Sequence, residues 1–196
     1  MPPLYNQAMV MVEESYLPLP LYAPGLTDSR FQEFCEQYAD YRLEYSAEGE
    51  LIIMPPTDPR TGARNARIIE DISHWSRVDG RGIATGSSAG FILPNGARLS
   101  PDAAWVSLAQ FAQRHPLPEF VIELLSPTDR ANVTHKKILE WIANGVQLAW
   151  MIDPRAQSVT IYRPGQPQVF LSSPTQLKGE GPVEGFVLDL TAIWSI

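Results

Sequence analysis

The sequence lacks several residue patterns that would point directly to a known chemistry. Cys35 is the single cysteine, which excludes an intrachain disulfide and a zinc site built from cysteines. The histidines, His74, His115 and His135, have no HxH or HxxxH spacing, so we do not expect a histidine metal site. Neither a Walker nor a Rossmann glycine pattern is present. Any chemistry must therefore come from other side chains.

The sequence also lacks a long apolar run and an excess of positive charge. No uncharged run approaches the ~20 residues of a membrane-spanning helix, and the first residues show no basic segment followed by an apolar one. We therefore expect a cytoplasmic protein without a membrane partner. The 15 Lys and Arg residues against 22 Asp and Glu residues give a net charge of −7. A nucleic-acid partner would need positive groups gathered locally, because the surface as a whole repels a polyanion.

The composition is that of one folded domain with an extended N-terminal segment. The chain has 196 residues, of which 44% are hydrophobic, enough to bury a core without disulfides. Residues 1–26 are rich in proline and tyrosine, and we expect an extended arm there. We expect residues 27–196 to form a single domain.

The pattern of apolar residues predicts an α/β fold with a mixed sheet flanked by helices. Two strands joined by a short loop that contains Gly49 predict an antiparallel hairpin. The apolar runs at 120–125 and 147–152 are uninterrupted, so they need cover on both faces. We expect helices over 29–39, 61–77 and 134–144, and strands over 41–45, 50–54, 83–85, 103–107, 119–125, 147–152, 158–162 and 168–171.

Two carboxylates stand at the edges of apolar runs. Asp102 precedes a short apolar strand, and Glu123 lies inside Val-Ile-Glu-Leu-Leu. Each alone also fits a structural role, Asp102 in a turn and Glu123 on the open face of an edge strand. Burying Glu123 without a partner would cost several kcal/mol. The compensating group could be Lys136 or Lys137, a proton shared with Asp102, or a divalent metal bound by both carboxylates.

The helix that follows Glu123 offers a cation. Lys137 lies four residues before Trp141, so the two side chains share one face of the helix. A lysine at this position can reach back over the strand end, where it could neutralise charge on a phosphate oxygen or orient an attacking water.

Taken in order, these residues resemble the Uma-type family of putative restriction endonucleases, within the PD-(D/E)xK nuclease fold group. The resemblance covers most of the chain, from the hairpin at 42–54 to residues 186–190. Its motifs are Pro101-Asp102, Glu123-Leu124-Leu125-Ser126-Pro127, Lys137 with Trp141, Gly145-Val146 and Ala149-Trp150-Met151-Ile152-Asp153-Pro154.

The resemblance implies a restriction-endonuclease-like fold and a metal-dependent endonuclease that hydrolyses phosphodiester bonds, with DNA as the expected nucleic acid. It implies that Asp102, Glu123 and the carbonyl of Leu124 bind Mg²⁺ or Mn²⁺, and that Asp102, Glu123 and Lys137 are catalytic. Hard oxygen ligands suit such ions.

The chain departs from the family pattern at three positions. Leu125 stands where the wider fold group has its lysine, so that role passes to Lys137 from the helix. Asn65 stands where family members often have a histidine, and Trp141 where a tyrosine is common.

Two other functions remain open from the sequence. The first is a catalytically inactive module of the same fold that acts in self-association or partner binding. The second is a glycoside hydrolase with two carboxylates across a sugar cleft, although Trp75, Trp105, Trp141 and Trp150 lie in apolar patterns typical of a core. We also expect that two copies of the chain can form a homodimer, because the arm and the apolar segment 186–196 offer surfaces to bury.

Overall fold

The structure is a computed structural model, and it describes residues 19–54, 56–127 and 129–196. Most of the predicted arm, residues 1–18, lies outside the described residues. The next residues, Leu19–Tyr22, form strand β1 and pair antiparallel with a strand of the hairpin. The arm over 1–26 and the single domain over 27–196 stay predictions.

The described chain contains the three helices and eight strands that the apolar pattern predicted, together with shorter elements that it did not predict. The helices are α1 (Asp28–Gln37), α2 (Pro59–Asp79), α3 (Leu108–Phe111), α4 (Ala131–Ala143) and α5 (Thr191–Trp194). The strands that follow β1 are β2 (Arg42–Tyr45), β3 (Glu50–Met54), β4 (Gly82–Gly86), β5 (Phe91–Ile92), β6 (Arg98–Leu99), β7 (Ala103–Ser107), β8 (Phe120–Leu124), β9 (Leu148–Asp153), β10 (Ser158–Tyr162), β11 (Val169–Ser172), β12 (Gln176–Lys178) and β13 (Val187–Asp189).

The central sheet has six strands in the order β11-β10-β9-β8-β7-β4. Strands β8 and β9 run parallel, and the other neighbours are antiparallel. Every residue of β8 is buried, as expected for an uninterrupted apolar strand covered on both faces. The predicted mixed α/β architecture is confirmed.

Helices cover the two faces of this sheet. On one face α2 contributes the fully buried Ile68 and Ile72 to a core that also contains Trp150 and Phe186. On the other face α4 buries Ile138 and Trp141 against β7, β8 and β9. The central strands are therefore dry on both sides, which raises the cost of any charge placed on them.

The predicted hairpin belongs to a second sheet, with the order β1-β3-β2-β6-β5. The sequence predicted the hairpin but not the sheet to which it belongs. The short strands β5 and β6 form their own hairpin around Gly96, whose φ of 89° suits a glycine turn. Strand β6 then pairs with β2, where Arg98 lies opposite Tyr45, and does not join the central sheet.

Two further differences from the expected elements have local causes. Helix α2 begins at Pro59, two residues earlier than predicted, because Asp58 caps it by accepting from the N–H groups of Arg60 and Thr61. Strands β12 and β13 pair as a separate antiparallel ribbon of three residues each, too short to show an alternating pattern. No helix within the described ranges is long and apolar enough to cross a membrane.

A pair of glycines tests the close packing of strand β4 against Trp105 of strand β7. A Cβ at Gly82 would overlap ring carbons of Trp105, so we expect Gly82→Ala to lower the free energy of unfolding by about 1–3 kcal/mol. Gly62 lies inside α2, where a Cβ meets only Thr57 Cγ2 at 3.9 Å. Gly62→Ala should raise stability by about 0.5–1 kcal/mol. Urea unfolding measures both, and equal effects of the two variants would contradict the packing described.

Candidate active site

Strand pairing brings the two sequence-predicted carboxylates together. Strands β7 and β8 are antiparallel, with Ala103 opposite Ile122. Continued by one residue, this register sets Asp102 beside Glu123, and opposed residues of an antiparallel pair project from the same face. That face is the one covered by α4.

The carboxylate of Glu123 is buried and receives two donors from α4. Its side chain is 4% exposed. Trp141 Nε1 donates to Oε1 at 2.9 Å, and Lys137 Nζ lies 3.0 Å from Oε1 and 3.1 Å from Oε2. The spacing of four residues places both donors on one helix face. Lys136, the other candidate cation, is exposed.

Asp102 is bound on both carboxylate oxygens. The N–H of Leu124 donates to Oδ2 at 2.7 Å, and Arg42 Nη1 donates to Oδ1 at 3.2 Å. The N–H and C=O of one residue in an antiparallel ladder face the same neighbour. The carbonyl of Leu124, the third predicted metal ligand, therefore faces the Asp102 side of β8.

Sequence reasoning missed a third carboxylate. Glu44 of β2 is 3% exposed, and its Oε1 lies 2.8 Å from Lys137 Nζ. The N–H of Ser100 donates to the same oxygen at 3.0 Å, while the carbonyl of Ser100 accepts from Lys137 at 2.8 Å. The only available signal was the spacing of Arg42 and Glu44, which a strand places on one face.

The sequence profile of the Uma2 family, described as "Putative restriction endonuclease", matches residues 28–191. This chain belongs to the Uma2 family. The predicted family is confirmed.

A solved crystal structure has a fold similar to that of this chain. The crystal structure of a "putative nuclease belonging to DUF820" from Anabaena variabilis ATCC 29413 is 22% identical, with a TM-score of 0.69, and the match covers 78% of this chain and 89% of that one. This likeness confirms the fold class. A cryo-electron microscopy structure of a DrdV-DNA complex matches 56% of this chain and 10% of its own, at 15% identity and a TM-score of 0.38, too low to show a shared fold. Comparison with curated proteins finds no match.

Leu125 and Asn65, two further positions that the sequence singled out, do not belong to this cluster of charged groups. Leu125 is buried and lies two residues beyond Glu123, and the cation beside Glu123 is Lys137 of α4. Asn65 lies on α2, which packs on the opposite face of the sheet, and its Oδ1 is buried without a hydrogen-bond partner among the described residues. A further acid of α2, Glu70, is exposed, and its Oε2 lies 3.7 Å from Arg67 Nη1.

The cluster of the Uma2 chain contains three carboxylates and two cations. Burial raises the pKa of Glu123 to about 7; the Lys137 ammonium acts against this rise, and the Asp102 and Glu44 carboxylates add to it. Burial acts to lower the pKa of Lys137, but Glu123 and Glu44 raise it by more. The pKa of Arg42 is likewise raised by its acidic neighbours, Asp102 first, against the effect of burial.

The donor set fits a hard divalent cation. Mg²⁺ binds through one or two carboxylates and keeps several waters, and Asp102, Glu123 and the Leu124 carbonyl are all oxygen donors. With every group ionised, three carboxylates and two cations leave one net negative charge. Among the described residues no three His, Cys, Asp or Glu side chains are arranged around a single metal position, so this site would need the carbonyl and water. Arg42 donates to one Asp102 oxygen and the Leu124 N–H to the other, so a bound metal would have to share these oxygens with the donors or replace them.

The raised pKa of Glu123 makes the stability of the metal-free protein depend on pH. The folded carboxyl ionises only near pH 7, whereas its ordinary value is 4.5. Folding therefore favours the protonated form, and the stability contributed below pH 4.5 is lost as the pH rises to about 7. We expect on the order of 2–3 kcal/mol of loss.

Urea unfolding in chelator across pH 4.5–8 measures this loss. Glu123→Gln should flatten the profile, and Glu48→Gln, which changes an exposed carboxyl in the β2–β3 turn, should leave it unchanged. A wild-type profile that does not fall in this window would contradict the burial argument.

Proposed function

We propose that this Uma2 chain is a metal-dependent endonuclease that hydrolyses phosphodiester bonds of nucleic acid, with DNA as the substrate. The observation that supports this proposal most strongly is the pair of carboxylates on neighbouring strands, with the Lys137 ammonium 3.0 Å from Glu123. Family membership supports the same reaction class.

The metal would be Mg²⁺ or Mn²⁺, bound by Asp102, Glu123 and the carbonyl of Leu124. Restriction endonucleases generally use divalent metals, and the oxygen donors suit both ions. When bound, such an ion acts as a Lewis acid toward the phosphate and acidifies a water. The two carboxylates would hold the ion, and the hydrogen bond from the Leu124 N–H fixes the position of Asp102.

Lys137 supplies the positive charge that the protein itself brings to the reaction. Its ammonium can exchange one of its present acceptors for a phosphate oxygen, where a positive charge stabilises the transition state. The side chain is 15% exposed, so it is reachable from solvent while its stem packs in the protein.

Exposed cations at the end of β8 and β9 could contact the nucleic-acid backbone. Arg130 and Lys136 flank the start of α4, and Arg155 follows β9, with its Nη1 donating to the carbonyl of Pro127 at 3.3 Å. Ligands of open α/β sheets bind beyond the carboxyl ends of the strands. Local positive groups at this edge would offset the repulsion from the net charge of −7.

We expect Asp102→Asn, Glu123→Gln and Lys137→Met each to lower cleavage by at least about a hundredfold, because each removes a charged group from the reacting centre. The measurement is cleavage of single-stranded DNA, duplex DNA and RNA with Mg²⁺ or Mn²⁺. Lys178→Met is the matched control for Lys137→Met, since it removes an exposed lysine of β12, outside the site and outside the proposed nucleic-acid contacts, and should leave cleavage unchanged.

Full cleavage by the site variants would contradict the proposed residues. Absence of cleavage in the wild-type protein on all substrates would favour the inactive module. One observation already favours that alternative: every oxygen of Asp102 and Glu123 has a protein donor.

A further inference from the structure

All three N–H donors of the Lys137 ammonium have acceptors. A lysine has three N–H donors and no acceptor, and Nζ has three acceptor groups within 3.1 Å: Glu123, Glu44 and the carbonyl of Ser100. Of these, Glu123 is the proposed metal ligand and Ser100 is backbone. Glu44 is the acceptor that has no role in the reaction as proposed above.

Glu44 is itself held in place from the segment that precedes Asp102. The N–H of Ser100 donates to Glu44 Oε1 at 3.0 Å, and the same oxygen accepts from Lys137 at 2.8 Å. The carbonyl of Ser100 closes the ring by accepting from Lys137. The backbone N–H of Ser100 therefore orients the Glu44 carboxylate toward the Lys137 ammonium.

The burial of Glu44 requires a partner with a positive charge. Its side chain is 4% exposed, and a buried carboxylate without a cation is strongly unfavourable. Its Oε1 is 2.8 Å from Lys137. Arg42 on the same strand face points instead to Asp102 and to Met54 Sδ, at 3.2 and 3.3 Å. The charge of Glu44 is thus directed at the lysine of the site.

We propose that Glu44 is a positioning residue that holds the Lys137 ammonium against Glu123. It acts through Lys137 and does not contact the substrate. Its effect on catalysis rests on the proposed function, whereas its effect on the ammonium does not. In physical terms, a second carboxylate fixes a long flexible side chain, which otherwise would have other rotamers available to it.

A double-mutant cycle tests the catalytic part with full-length protein. Glu44→Gln keeps the shape and an oxygen acceptor but removes the charge. We expect it to lower kcat about tenfold with KM nearly unchanged in the wild-type background, and to have no further effect in Lys137→Met. Glu48→Gln, in the turn of the same hairpin, should leave kcat unchanged. An equal loss of kcat in both backgrounds would overturn the proposal, because a purely structural residue would act independently of Lys137.

Nitrogen-15 NMR of the lysine ammonium groups tests the positioning without any cleavage. The chain has only three lysines, and Lys136 and Lys178 are exposed, so a slowly exchanging ammonium signal should belong to Lys137 and be absent from Lys137→Met. We expect Glu44→Gln to speed its hydrogen exchange about tenfold or more, and Glu48→Gln to leave it unchanged. Glu44→Asp, which keeps the charge but shortens the side chain, should lie between and serves if the glutamine variant is unstable.

The NMR result distinguishes the two proposals. Loss of protection in Glu44→Gln together with an inactive wild-type protein would retain the positioning role and reject the nuclease function. Unchanged protection in both Glu44 variants would overturn the positioning role, whatever the cleavage assay shows.

Discussion

The burial of one carboxylate in the middle of a dry sheet is the constraint on which the rest of the site depends. Glu123 lies on a central strand, between two strands and under a helix, where an ion without partners is strongly disfavoured. The fold compensates it from α4, where Trp141 and Lys137 donate to the same carboxylate. These two contacts to a buried carboxylate, as well as apolar packing, therefore hold the helix over β8.

Compensation by a lysine brings a second requirement, since the lysine side chain is itself only 15% exposed. Glu44 and the carbonyl of Ser100 meet it. Because Glu44 comes from β2, the N-terminal sheet becomes part of the site. The same strand supplies Arg42 to Asp102. Ion pairs thus join the two sheets at the proposed active site, and the smaller sheet contributes residues to that site.

The parts of the site that could be predicted from sequence are those fixed by local geometry. Helical spacing alone places Lys137 and Trp141 on one face. The meeting of Asp102 and Glu123 was suggested by their positions at the edges of apolar runs and by the family resemblance, and the pairing of β7 with β8 produces it. Glu44 could not be predicted, because its environment depends on how two sheets pack. In the fold, the long amphipathic α2 and the buried β8 were predictable, whereas the pairing of β6 with β2 depends on a single register contact.

We propose that Asp102 and Glu123 bind one divalent ion, and calorimetric titration of the full chain with Mn²⁺ tests this binding most directly. We expect one bound ion per chain, with affinity weakened about tenfold or more in Asp102→Asn and Glu123→Gln and retained in Glu70→Gln, which alters an exposed acid. Absence of binding by the wild-type protein, or equal affinity in all four proteins, would contradict it.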